Sequence, residues 1–307
     1  MRPRDRSRAE LLGHGLRSFN ASGHRTPGLR RAAERRTFIE QLLESIRRVS
    51  FPAVVSARPI SPLRREPRSE LFDPIRAAVL CARADELEEA FWLVFLSVHF
   101  GKHKRSGWQL VKSIYGRLDA GPLWDWGRTA ARPRVFRSWL RANEDAVRAT
   151  DGGFGNHRKY QSLSADSDVG TGVVVETYVR WVKSGRTHVE LVRAELEAAG
   201  GDSRTAFHAL YQSMDAVVGF GRTARFDYLT MIGKLGLADI EPGSVYLAGA
   251  TGPLTGARLL FGSAQSANDL DRELTTLGSH LGVGMQVLED ALCNWQKSPS
   301  RFIPFRG

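Results

Sequence analysis

A chain of 307 residues with 42% hydrophobic, 9% aromatic and 25% charged residues is long enough to bury a full core, and the mixture excludes a disordered or fibrous protein. Its two cysteines, Cys81 and Cys293, exclude a disulfide framework, a cysteine zinc site and a four-cysteine iron–sulfur cluster, so a reducing cytoplasm is the expected location. The net charge of +11 points to a polyanionic partner, although ten arginines against Asp5, Glu10 and Glu34 place +7 of it within residues 1–36.

That arginine-rich start lacks the apolar core of a secretory signal. Residues 38–49 show helical spacing through Phe38, Ile39, Leu42, Leu43 and Ile46, and Pro52, Pro59, Pro62 and Pro67 then read as a linker. Residues 1–68 are therefore expected to be a largely disordered extension, and residues 69–307 a helical catalytic domain. Asp73 and Pro74 supply an N-cap and a first-turn proline for helix running on to Leu96. The apolar stretch from Ala90 to Phe100 is far short of the ~20 residues that span a bilayer and reads as a buried core helix, with no membrane partner expected. Further helices are expected over 107–118, 133–148, 172–183, 189–199, 203–217, 223–237, 268–277 and 285–295, and no period-two run competes with them. The expected fold class is all α.

The segment from Val218 to Leu229 resembles a helix-hairpin-helix, spanning about 203–237, whose hairpin alternates apolar residues with Gly219 and Gly221 and then carries Arg222 and Thr223. Glycines permit backbone closed to other residues, and bare amides at the start of the second helix can hold a DNA phosphate. The resemblance implies a glycosylase-like arrangement of two helical subdomains around a cleft. In the glycosylases with this motif an aspartate follows the hairpin by about eighteen residues; the same interval from Thr223 reaches Glu241, with Asp239 two residues away. A carboxylate there would stabilise charge developing on the sugar. Thr223 stands where the bifunctional enzymes carry a catalytic lysine, which argues against strand cleavage.

Other segments add candidates. Asn156, His157, Arg158, Lys159 and Tyr160 combine an amide, an imidazole, two cations and a ring on one glycine-flanked loop suited to backbone phosphate and a stacked base; a solvated basic loop is the plain alternative. His99 and His103, four apart on a helix, share a face beside Lys102, but no carboxylate or third ligand accompanies them, so no metal is expected. Thr251 and Thr255 offer hydroxyls to a phosphate or open a structural helix turn, without the lysine of a P-loop, and Asp227 lies in the second hairpin helix as a structural partner or an acid. No cofactor is expected. Trp124, Trp126, Trp139 and Trp181 read as packing residues.

The strings from Ser97 to His103, Phe154 to Tyr160, Gly249 to Arg258 and Cys293 to Lys297 resemble those of the alpha-glutamyl/putrescinyl-thymine pyrophosphorylase family over about residues 85–307. That resemblance implies action on DNA carrying modified pyrimidines. Three readings follow: a monofunctional glycosylase-like hydrolase that flips a modified pyrimidine and uses Glu241 or Asp239, a transferase joining an amine to a pyrophosphorylated hydroxymethyl-pyrimidine in DNA, and a DNA-binding module without chemistry.

Overall fold

The computed structural model describes residues 5–155 and 161–304. Among them it is all α, with fourteen α-helices, short 3-10 turns and only two isolated bridges, His103 with Gly107 and Ser162 with Gly170. In chain order these are α1 (Arg6–Ala21), α2 (Ala32–Ser56), α3 (Pro74–Arg83), α4 (Leu87–Phe100), α5 (Gln109–Tyr115), α6 (Trp126–Ala131) and α7 (Pro133–Arg148). They continue with α8 (Thr171–Ser184), α9 (His188–Ala198), α10 (Ser203–Ser213), α11 (Arg222–Lys234), α12 (Gly252–Phe261), α13 (Ala267–Leu281) and α14 (Met285–Trp295). The described residues fall into two compact units, one from 1–52 with 242–307 and one from 53–241. The single helical domain expected over 69–307 is thus divided, and its last part belongs with the N-terminal helices. No helix among the described residues is long and apolar enough to cross a membrane.

In the first unit, the segment expected to be disordered is helical. Leu12, Leu16 and Phe19 form one buried face of α1, while Arg6, Arg8 and Arg17 are exposed on its other sides. That face meets α13: a Cβ on Gly15 would stand 2.4 Å from the His280 carbonyl oxygen, and the Phe19 ring packs against His24, Phe261 and His280. The partners that justify the face lie about 260 residues away in sequence, so its arginine content dominates any local reading. Likewise Pro52 does not open a linker but sits inside α2. Phe38, Leu42, Leu260, Leu274, Leu288 and Trp295 complete this core.

In the second unit α4 is the central element. Every residue from Ala90 to Leu96 is fully buried, as expected of a helix apolar on all sides. The expected continuous helix from 73 to 96 is two helices: Asp73 caps α3 by accepting the Arg76 amide at 3.0 Å, and Asp85, in the left-handed region at φ 61°, separates α3 from α4. The Phe95 ring stacks on Tyr178 of α8 at 3.7 Å and on Phe220 at 5.2 Å, which ties the segment before α11 to the core. Trp124, Trp126 and Trp181 are buried.

Candidate active site and nucleic-acid interface

Between α10 and α11 the chain turns through the glycine segment. Gly219 has φ +72°, a conformation that L side chains rarely adopt, so glycine is required there by the backbone itself. Gly221 differs: its φ of −69° suits any residue, and a Cβ on it would meet nothing within 4 Å. It is the N-cap of α11 and supplies no side-chain cap, and the amides of Gly221, Thr223 and Ala224 meet no acceptor among the described residues. Gly221 and Thr223 are exposed, so the start of α11 presents bare donors and the positive end of a helix dipole to solvent. Arg222 lies over the Phe226 ring at 4.6 Å, 9% exposed, and thus packs on its own helix instead of reaching outward. Because Gly221 has open space and ordinary dihedrals, Gly221→Val should leave the melting temperature within a degree or two of wild type yet weaken duplex binding roughly tenfold, the loss of about one charge-assisted contact. Fluorescence anisotropy beside a thermal melt reads both; unchanged affinity would reduce the segment to a turn.

The end of α4 lies at the same face of the core. His99 is fully buried, its Nε2 3.0 Å from Thr171 Oγ1, and its ring packs against Phe220 and Phe154. The helix stops at Phe100, with Gly101 at φ +68°, so His103 is not one turn above His99 on a shared face as the spacing suggests. His103 sits in the following loop, where its Nδ1 is 2.8 Å from Ser106 Oγ, and Lys102 is exposed beside it. The Gly155 amide donates to Phe100 O at 2.8 Å, anchoring the lead into the basic loop; Asn156, His157, Arg158, Lys159 and Tyr160 themselves lie outside the described residues.

The remaining candidates lie at the surface. Asp239 and Glu241 are exposed on the segment after α11, where Glu241 Oε1 accepts from Arg204 Nε at 2.8 Å. Asp227 is exposed on α11. Thr251 and Thr255 are exposed in the first unit, and the Thr255 hydroxyl donates to Thr251 O at 2.9 Å within its own helix. Gly256 serves packing: a Cβ on it would stand 2.5 Å from Leu292 O, so the residue lets α12 approach α14.

Two acids at the start of α4 emerge instead. Glu89 accepts from the Tyr115 hydroxyl and from the Trp126 amide, each at 2.7 Å. Burial nevertheless pushes its carboxyl up to about 7, outweighing both bonds. It lines a pocket of about 480 Å³ with Arg65, Glu86, Tyr115, Leu123 and Asp125. Its neighbour Glu88 accepts from His188 Nδ1 at 2.7 Å and from the His188 and Val189 amides at 3.1 Å, at the start of α9. His188 Nε2 is 2.7 Å from the Tyr178 hydroxyl, which is 3.0 Å from the Tyr228 hydroxyl of α11. Burial lowers the His188 pKa against the pull of Glu88, so the ring is neutral: Nδ1 donates to Glu88, Nε2 accepts from Tyr178, and Tyr178 accepts from Tyr228. Glu88 itself stays below the usual carboxylate range, since burial is outweighed by the bonds from His188 and Val189. This chain fixes α11, and with it the glycine turn, to α4, α8 and α9. The legible signal was Glu88 and Glu89 standing before an apolar run: on the first turn of a helix buried all round, such acids enter the core with it.

A second pocket, of about 500 Å³, lies beyond the stacked rings of Phe72 and Tyr115, whose centroids are 6.0 Å apart; Phe72 lines it and Tyr115 lines the Glu89 pocket. Its wall includes Lys102, the exposed loop residue after α4, and Arg64, whose sequence neighbour Arg65 lines the other pocket.

No curated protein and no solved structure matches the chain. The family described as alpha-glutamyl/putrescinyl thymine pyrophosphorylase clade 3 matches residues 33–307, reaching back through α2 beyond the region whose strings carry the resemblance.

Proposed function

Since the chain belongs to the alpha-glutamyl/putrescinyl thymine pyrophosphorylase family, clade 3, we propose that it is a DNA-modifying transferase acting on a pyrophosphorylated hydroxymethyl-pyrimidine. The methylene carbon of the base forms a bond to the nitrogen of an incoming amine, its bond to the pyrophosphate oxygen breaks, and the amine loses a proton. Flipping the base out of the stack exposes that carbon to protein groups. The observation that carries the DNA part is the exposed start of α11, where the amides of Gly221 and Thr223, which meet no acceptor among the described residues, suit a backbone phosphate. The proton part goes to Glu89, whose carboxyl exchanges its proton near neutrality and lines a pocket, as a general base requires.

This reading takes the place of base excision at Glu241, which rests on an interval from the hairpin and falls on an exposed ion pair. Incubation of the full chain with phage DNA carrying pyrophosphorylated hydroxymethyl-pyrimidine and a mixture of primary amines, followed by nucleoside mass spectrometry, separates the readings. A heavier nucleoside with equal pyrophosphate release is expected. Free base and abasic sites would move the protein to the glycosylases, and binding without any product would make it a DNA-binding module.

A further inference from the structure

We propose that the basic pocket beside the end of α4 binds a diphosphate group. Resting on the transferase reading, it would seat the pyrophosphate that leaves the pyrimidine. Arg64, Arg76, Lys102, Arg105 and Lys112 line it, against the acids Glu70 and Asp73. Two of the cations are already engaged: Lys112 Nζ is 2.7 Å from Glu70, and Arg76 pairs with Asp73. Arg64 donates to Leu71 O at 3.0 Å, which leaves most of its fork of donors available. Lys102 and Arg105 meet no acceptor among the described residues.

Cations held together repel one another, and Arg64, Lys102 and Arg105 keep donors to spare, so the wall is completed by a ligand that brings several anionic oxygens at once. The cations come from the segment before α3, from α3, from the loop after α4 and from α5, and they line one concavity of about 500 Å³. Charge converging on one concavity suits a compact polyanion, whereas a polynucleotide backbone is met by charge spread along a track.

The test is calorimetric titration of the full chain with inorganic pyrophosphate, with inorganic phosphate and with an unmodified DNA duplex. The Lys102→Ala, Arg105→Ala double variant runs in parallel. Lys102 and Arg105 are exposed, so the double variant keeps its melting temperature. Pyrophosphate is expected to bind at least about tenfold more tightly than phosphate, and the double variant should lose about tenfold or more of that affinity. Its duplex affinity should change by less than about threefold. Pyrophosphate binding that survives the double substitution overturns the site. A variant that loses duplex affinity while pyrophosphate never binds assigns the cations to the DNA backbone and overturns it equally. The two readings fail separately: pyrophosphate bound here without any amine transfer removes the transferase and keeps the site, while transfer by a double variant with wild-type pyrophosphate affinity removes the site and keeps the transferase.

Discussion

Removal of residues 1–31 is expected to unfold the first unit. The deletion takes away α1 and the short turn after it, and with them Leu12, Leu16, Phe19 and Leu29 from a single core. Four such side chains contribute on the order of 6–10 kcal/mol by area, comparable to the whole stability of a typical domain. The face they leave, including Leu274, Leu277 and Leu281 of α13, would then be open to water. The expected result is a lost or non-cooperative melting transition and aggregation. Phe19→Ala gives a graded version in the intact chain, with an expected loss of about 3–5 kcal/mol in denaturant unfolding. A truncated chain that melts like the full one would mean that α1 is an ornament on a core complete without it.

Glu89→Gln is expected to have the largest effect on chemistry and to change how stability depends on pH. In the folded chain burial holds the carboxyl near 7, against an ordinary value of 4.5 once unfolded. Between those two values the folded state keeps a proton that the unfolded state has released, so this group's contribution is greatest below pH 4.5 and is lost as pH rises to about 7. The loss amounts to about 3 kcal/mol and is complete above that window. Glutamine holds the neutral shape at every pH, so the variant should gain on the wild type as pH rises, and the difference between the two proteins isolates Glu89 from Glu88 and His188. Turnover should fall by about 10²–10⁴ if Glu89 takes the proton from the amine, while duplex affinity holds. A difference in stability that stays flat through the window would show that Glu89 is not a carboxyl kept protonated by burial. Unchanged turnover on a verified substrate would return the proton to another group.

Local periodicity and caps made the helical class legible, together with most helix positions beyond residue 100 and the core role of the Ala90 to Phe100 stretch. The sequence also marks Gly219 as a turn, since a run of alternating glycines between two helical patterns has few other uses. The family was legible too, through strings such as Ser97 to His103 and Cys293 to Lys297, with the match extending to residue 33. The rest depends on contacts between segments far apart in the chain. Arginine density made α1 look unstructured because the leucines that bury its face belong to α13, at the other end of the chain. Counting four residues placed His99 and His103 together, but α4 ends between them at Gly101. Counting eighteen residues chose Glu241, which lies exposed in an ion pair with Arg204, whereas Glu89 is buried by segments distant in sequence, and that burial raises its pKa against the bonds from Tyr115 and Trp126. An acid's proton affinity is set by the dielectric and the donors that surround it, and those are supplied by packing between segments that no local spacing connects.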